Sequence, residues 1–313
     1  MKIGIDIMGG DFAPEATVLG SIEALKELPK EIELVLIGDE KRILEILKRE
    51  NYTSNNYSIV HTTEVIEMGE HPAKTFSKKT DSSIVKGYKL LAAKQIDGFA
   101  SAGNTGAMLV GAMYTVKSIP GVIRPCISST LPREDGSMAL LLDVGINPDC
   151  RPDVLYQYAI LGATYLENVL GVKKPKVGLL NIGSEEEKGN LLTKATHELM
   201  KGTSDFNFIG NVEGNDLFKI DKADVIVCDG FTGNVVLKQA EVFYTLIKKR
   251  NIQDDYFEKF NFEYYGGTPI LGINAPVLIG HGASGSLAIK NMILHAKDVI
   301  EAKLSEKFTE IFK

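Results

Sequence analysis

The sequence is poor in the features that mark several protein classes. It has three cysteines in 313 residues, and Cys126, Cys150 and Cys228 are scattered, with no CxxC and no metal-ligand spacing. That argues against a disulfide framework and a structural zinc site. With no leader-like segment at the start, it points to a reducing cytoplasm and structural thiols. No apolar run reaches the ~18–20 residues of a membrane span, so a membrane role would be peripheral. Basic residues are not in excess. The formal charge is −6, which argues against a general nucleic-acid binder. Familiar catalytic motifs are missing too: there is no GxSxG, no HExxH, no P-loop and no GxGxxG after the first strand. Of the five histidines, His61, His71, His197 and His295 lie outside any glycine-rich loop and read as surface or satisfied core residues.

What is present is an ordinary globular composition, 44% hydrophobic with 30 glycines, and a steady alternation of short apolar runs with helix-like stretches. Strands are expected at 2–6, 32–37, 59–61, 98–100, 176–181, 206–209, 224–228 and 277–279. Helices are expected from Pro14 to Leu28, over 40–49, from Ser82 to Lys94, from Ala107, over 152–170, after Asn190, from about 230 to Arg250, and at the C-terminus. Asp39 is a candidate helix cap, as is Ser82 or Asp81. Residues 125–131 and 138–142, joined by the turn Pro132-Arg133-Glu134-Asp135-Gly136, read as an antiparallel hairpin. Residues 62–81 read as irregular, ending in the basic stretch Lys74, Lys78 and Lys79, and 251–268 read as aromatic and irregular. The pattern predicts one interlocked three-layer α/β/α domain over 1–313, with a mainly parallel sheet plus the hairpin.

Polar loops recur where strands end: 6–11, 101–106, 143–147, 181–190, 229–234 and 281–286. In open α/β sheets ligands sit beyond the carboxyl ends of strands, and the six loops are expected to gather into one ligand site. For any one loop, tight turning explains glycine and asparagine. Turns alone do not call for the added Asp, Ser and Thr. Ser101-Ala102-Gly103-Asn104-Thr105-Gly106-Ala107, between a strand and a helix, presents free amides at a helix N-terminus, a natural anion cradle. His281 is the acid/base or hydrogen-bonding candidate. Asp6, Asp11, Asp143 and Asp229 end strands, and helix capping accounts for one or two of them.

These residues resemble the phosphate acyltransferase family known as PlsX. The likeness rests on Asp6-Ile7-Met8-Gly9-Gly10-Asp11, the 101–107 loop, Leu140–Gly145, Val177–Gly183, Lys188-Gly189-Asn190, Asn207–Glu213, Asp229–Asn234 and Tyr265-Gly266-Gly267, in order along nearly the whole chain. The resemblance implies transfer of an acyl group from acyl-[acyl carrier protein] to inorganic phosphate, giving acyl phosphate for phosphatidic acid synthesis. It implies a fold like that of isopropylmalate dehydrogenases and phosphotransacetylases, a homodimer, and no metal or nucleotide cofactor. A membrane-bound glycerol-3-phosphate acyltransferase is the implied downstream partner. The implied location is cytoplasmic, with contact at the inner membrane face left open.

On this reading Asn104, Thr105, Lys188, Asp229, Thr232 and His281 are the catalytic candidates. Gly9, Gly10, Asp11, Ser101, Gly103, Gly106, Asn181, Gly183, Asn190, Gly230, Gly233, Asn234, Gly282 and Ser284 are the phosphate and substrate candidates. Lys78, Lys79, Lys248, Lys249 and Arg250 are candidates for carrier-protein docking. Two departures stand out. Phe12 occupies a position where many members have His, and the segment at about 240–265 is several helical turns shorter than usual, where members carry a hairpin linked to dimer packing and membrane contact. Phe243, Tyr244, Tyr256, Phe257, Phe260 and Phe262 are candidates for a smaller apolar surface there. Three alternatives share parts of the pattern: a phosphotransacetylase-type enzyme using acyl-CoA, a non-catalytic acyl or phosphate binder, and a nicotinamide-dependent dehydrogenase, weakened by the missing dinucleotide fingerprint.

Overall fold

The computed structural model describes residues 1–313. The first elements are β1 (Lys2–Asp6), α1 (Glu15–Glu27), β2 (Glu33–Gly38), α2 (Glu40–Arg49), β3 (Tyr57–His61), α3 (Pro72–Lys78), α4 (Ser83–Ala92), β4 (Gly98–Ser101) and α5 (Thr105–Gly111). Then come β5 (Cys126–Pro132), β6 (Met138–Leu142), α6 (Pro152–Asn168), β7 (Lys176–Leu180), α7 (Leu191–Met200), β8 (Asn207–Val212), β9 (Val225–Val227), α8 (Gly230–Lys249) and α9 (Asp255–Glu258). The last are β10 (Gly267–Leu271), β11 (Val277–Gly280), α10 (Ser286–Glu301) and α11 (Leu304–Ile311). The chain forms two compact units, Met1–Ser118 with Phe262–Ser305, and Ile119–Asn261 with Glu306–Lys313.

The strands of the first unit lie in the order β3-β2-β1-β4-β11-β10. All are parallel to their neighbours except β10, which runs antiparallel to β11. Successive side chains of β1 point to opposite faces. Ile3 and Ile5 enter a cluster with Val18 and Ile22 of α1 and Ile289 and Ile293 of α10. Gly4 faces the other way, where a Cβ would stand 2.5 Å from Ile96 Cδ1 and 3.5 Å from Phe99 Cδ2. Gly87 of α4 lies against the Phe99 ring so closely that a Cβ would overlap it. Both faces are therefore covered, which is why β1 and β2 read as continuous apolar runs. Each fully buried Ile, Leu or Phe contributes roughly 1.5–3 kcal/mol.

The second unit orders its strands β5-β6-β9-β7-β8, with only β5 antiparallel. Leu141 and Ile226 pack with Val236 and Leu237 of α8. On the opposite face a Cβ on Gly162 of α6 would come 2.7 Å from Val225 Cγ1 and 3.2 Å from Leu142 Cδ1. All three cysteines are unpaired, and burial pushes the Cys126 and Cys228 thiols up, as structural thiols require. His197 is buried against Phe208, and His61, exposed, accepts the Glu40 amide at 3.1 Å.

The α/β class, the parallel strands and the hairpin are as the sequence predicts. Asp39 caps α2, accepting from the amides of Lys41 and Arg42, and Ser82 caps α4. Three elements differ from expectation. Residues 72–78 are a helix, not irregular chain; only Thr75 of α3 is buried, so no apolar period marked it. Residues 267–271 form a strand whose central residue is Pro269, which lacks a ladder donor. The C-terminal helix is two, broken at Lys303, which has φ 51°. The aromatic segment also divides. Tyr256, Phe257 and Phe260 stack on one another, with Phe218 against Phe260, and Phe243 is the one clearly exposed ring of the six candidates.

Helix α1 crosses α10 at Gly20, where a Cβ would stand 2.6 Å from both Ile289 Cβ and the Ser286 carbonyl oxygen. Gly20→Ala gains about 1 kcal/mol of helix propensity but forces the helices apart, at about 1–3 kcal/mol. We expect net destabilisation in urea unfolding; an unchanged or raised midpoint contradicts this packing.

Candidate active site

In the first unit the corner is built around Asp6, the last residue of β1, whose carboxylate is 1% exposed. Its Oδ2 accepts from Ser101 Oγ at 2.7 Å and its Oδ1 from the Met8 amide at 3.0 Å. Ser101 Oγ in turn accepts the Gly103 amide at 2.9 Å. Burial pushes the Asp6 carboxyl up, opposed by the hydrogen bonds of Ser83, Ser101, Met8 and Gly9. Gly9 is the tightest point. A Cβ would meet Asp6 Oδ2, the Gly103 nitrogen at 2.7 Å and Ser101 Oγ at 2.9 Å. Only glycine lets the first loop pass so close to the 101–103 backbone.

Asn104 is 4% exposed and its side chain is fully engaged. Its Oδ1 caps α5 at the Ala107 amide (2.9 Å). Its Nδ2 donates to the carbonyls of Glu67, Met68 and Glu70 at 2.9–3.1 Å. The first-turn amides of Thr105 and Gly106 have no intrahelical acceptor, and the Thr105 side chain is exposed. The 281–286 loop joins this corner through the Asp11 amide, which donates to the Gly282 carbonyl at 2.8 Å. His281 is exposed, lies 4.6 Å centroid to centroid from Phe262, and accepts the Ala283 amide at Nδ1 (3.2 Å). That bond assigns the neutral ring's proton to Nε2. Ser284 is buried and donates from Oγ to the His281 carbonyl at 2.6 Å.

The second unit repeats the device at the end of β6. Asp143 is fully buried and accepts from the amides of Ile127 (3.2 Å) and Asn147 (2.6 Å) and from Asn147 Nδ2 (3.2 Å). Burial raises its carboxyl and those donors oppose the rise. A Cβ on Gly230 would stand 2.7 Å from Asp143 Oδ2, and the Gly230 amide donates to the Asn147 carbonyl at 2.8 Å. The 143–147 and 229–234 loops are thereby brought together. Asp229 caps α8, taking the Thr232 amide at 2.9 Å and Thr232 Oγ1 at 2.8 Å. Asn234 Nδ2 donates to the Val144 carbonyl at 3.3 Å.

The 181–190 loop is tied elsewhere. The Asn181 amide donates to the Val212 carbonyl, and Asn211 Nδ2 to the Glu185 carbonyl, both at 2.8 Å. Asn181 Nδ2 holds the Lys188 carbonyl (3.1 Å) and Asn190 caps α7 (2.9 Å). Gly183 is buried under the Lys188 stem, and the Lys188 side chain is exposed with no acidic partner. Among acids and histidines, Glu186, His197 and Glu198 bring possible metal-ligand atoms within 4.8 Å. Glu186 there already pairs with Lys201 at 2.6 Å.

Sequence reasoning placed Asp6 and Asp143 only as strand-ending acids, yet each is the hub of its corner. The signal was there: both follow an apolar run and precede a glycine within three residues, Asp6-Ile7-Met8-Gly9 and Asp143-Val144-Gly145. The 66–70 loop, clamped by Asn104, left no such mark.

Two mainly parallel-stranded units with glycine-rich corners at their strand ends place the chain in the α/β class. Solved structures agree on the fold. A phosphotransacetylase from Streptococcus pyogenes superposes with a TM-score of 0.65 at 16% identity, covering 96% of this chain and 94% of that one. The EutD phosphotransacetylase from Staphylococcus aureus gives 0.63 at 15%, with the same coverage. The family model described as "Fatty acid synthesis protein" matches residues 1–307. Curated proteins named phosphate acyltransferase match nearly end to end. The one from Dictyoglomus turgidum is 44% identical over 99% of this chain and 97% of its own length. The one from Leptospira biflexa is 38% identical over 99% and 96%. The chain belongs to the phosphate acyltransferase family.

The raised carboxyl of Asp6 gives a signed expectation. A carboxyl whose folded pKa exceeds its unfolded value contributes stability below the ordinary carboxylate range and loses it as pH rises through the folded value. Relative to the parent, Asp6→Asn gains in Tm as pH goes from about 4 to about 7. A Tm difference that stays constant over that range rejects the burial assigned to Asp6.

Proposed function

We propose that this chain catalyses attack of inorganic phosphate on the thioester of an acyl-[acyl carrier protein]. A phosphate oxygen bonds to the carbonyl carbon, a tetrahedral oxyanion forms, and the C–S bond breaks. The products are acyl phosphate and the free thiol of the carrier. Phosphate is anionic near neutral pH, and the leaving thiol, with a pKa of about 8.5, needs little protonation. The task is to hold two groups in attack geometry and to stabilise the oxyanion. The observation that carries the reading is the near-full-length identity to phosphate acyltransferases, joined to a corner of open helix amides behind β4.

The roles follow from which polar groups remain uncommitted. The Thr105 hydroxyl and the Thr105 and Gly106 amides are assigned to phosphate or the oxyanion. Asn104 holds that loop, Asp6 orients Ser101, and Gly9, Gly10, Asp11, Gly103, Gly282 and Ser284 shape the wall. His281 is assigned a proton on Nε2 for the oxyanion or the leaving sulfur. In the second unit Asp229 orients Thr232, with Gly230, Gly233 and Asn234 as a second cradle, and Lys188 is a free cation for phosphate. Asn181, Gly183 and Asn190 hold the Lys188 loop. Acyl phosphate is consumed by an acyltransferase acting on glycerol 3-phosphate at the membrane. No helix is long and apolar enough to cross a membrane.

Hydroxylamine traps acyl phosphate as the hydroxamate. Purified protein with long-chain acyl carrier protein and phosphate is expected to form it, and Asn104→Ala and Thr232→Ala each to lower the rate by about tenfold or more. No hydroxamate from the parent refutes the reaction; near-normal rates in both variants refute the site.

We further assign the exposed apolar stripe of α8, with Val235 54%, Val242 51%, Phe243 56% and Leu246 48% exposed, to a homodimer. Val242→Glu with Leu246→Glu is expected to sediment as a monomer; a parent that is itself monomeric disproves the assignment.

A further inference from the structure

A segment of opposite charge lies against the first corner. Residues 71–94 carry six lysines and a single acid, Asp81, in a chain whose net charge is −6. Not all six are available. Lys79 pairs with Glu70 at 2.6 Å and donates to the Val65 carbonyl, and Lys86 pairs with Asp81 at 2.7 Å. Lys94 follows the C-terminal end of α4, away from its capped N-terminus. Lys74 and Lys78 are exposed on α3, one turn apart, and neither has an acidic partner. Lys89 is exposed and reaches back to the Thr80 carbonyl at 3.0 Å, which sets it beside the α3–α4 connection.

The position of this helix gives the charge a purpose. Pro72, at the start of α3, packs so closely on Gly106 that a Cβ there would collide with it. Asn104 clamps the loop that leads into α3, and Ser83, at the start of α4, hydrogen-bonds Asp6. Helix α3 is therefore anchored on Gly106, and α4 on Asp6 at the base of the same corner. Of the acids in the neighbouring 64–70 loop, Glu70 is neutralised by Lys79, Glu64 accepts the Asp81 amide at 2.9 Å, and Glu67 is exposed.

We propose that Lys74, Lys78 and Lys89 form the landing surface for an acidic carrier protein that presents its thioester to the first corner. This rests on the acyl-transfer reading above. A thioester carried on a protein must be delivered within bonding distance of phosphate, so its carrier has to dock beside the corner. An uncompensated basic face fits an acidic partner and speeds its encounter. Lys79, included on sequence grounds, is a structural cation instead.

The test compares the parent with Lys74→Glu/Lys78→Glu/Lys89→Glu and with a charge-matched control, Lys30→Glu/Lys41→Glu/Lys48→Glu, all three control residues being exposed in the same unit. The expected result is a rise of about tenfold or more in KM for acyl carrier protein in the first triple only, with kcat and the KM for phosphate within about twofold and the difference shrinking as salt is added. Calorimetry with acyl carrier protein reads docking separately. A parent that binds the carrier but makes no hydroxamate fails the reaction and leaves docking standing. An unchanged KM and affinity in the first triple overturns the proposal, as does a rise caused instead by Lys249→Glu/Arg250→Glu. Lysine-dependent binding of the parent to vesicles containing phosphatidylglycerol, with carrier KM unaffected, assigns the face to a membrane and overturns it too.

Discussion

A carboxylate cut off from water has to be ringed by donors or given up to a proton. Each unit accepts that constraint at the end of one inner strand. Asp6 collects a serine hydroxyl and loop amides, and Asp143 collects three groups from a loop of its own and one amide of β5. The donors cannot be distant, so the loops that supply them must crowd onto the strand end. Glycine at 9, 230 and 233 is the consequence, because a Cβ at each would strike the aspartate or its partners. The conformation of each corner thus follows from satisfying one buried charge, and the outer groups inherit their places from it.

The extent to which this was legible in the sequence depends on the length over which a signal accumulates. Strands such as β1 and β2 are buried on both faces, and a run of consecutive apolar residues announces them. The caps of Asp39 and Ser82 are read from a polar residue before a periodic run and both accept a first-turn amide, as do Asn104, Asn190 and Asp229, which the sequence presented as site residues. Helix α3 escaped because it buries one side chain. Strand β10 escaped because a proline inside a short run argues against a strand, and Pro269 stands at its centre. The corners were legible as loops but not as hubs. A strand-ending aspartate looks the same whether it caps a helix, like Asp229, or is buried, like Asp143. Part of the difference lies far off in sequence: the Ile127 amide, 16 positions away, donates to the Asp143 carboxylate, and Gly230 packs against it.

The same accounting of partners narrows the chemistry. Asn104, Thr232, Asn181 and Asn234 were attractive because their side chains can donate, yet each of these four already donates within the chain, and Asn190 accepts at Oδ1 as a helix cap. What remains open in the first unit is the Thr105 hydroxyl, two helix amides and one imidazole nitrogen. In the second it is chiefly the Lys188 ammonium. An anion would therefore be met mostly by backbone dipoles whose direction is set by tightly held side chains. Such groups do not reorient as charge develops on a substrate oxygen, which is the property that makes fixed donors effective in acyl transfer. Substitution of the holding residues acts on geometry, and substitution of the free groups acts on charge.

The two kinds of lysine near the first corner carry the point to the surface. Lys79 and Lys86 have acid and carbonyl partners within 3 Å and keep the 61–70 loop and the α3–α4 turn in place. Their charge is answered inside the chain. Lys74, Lys78 and Lys89 lie in the same stretch with no acid to neutralise them, so their field extends into solvent over roughly a Debye length, ~8–10 Å at ordinary ionic strength. Counting lysines by sequence cannot separate the two sets. Knowing which ammonium already has a carboxylate beside it does, and it turns a broadly basic stretch into three particular residues on the two helices that pack against the first corner.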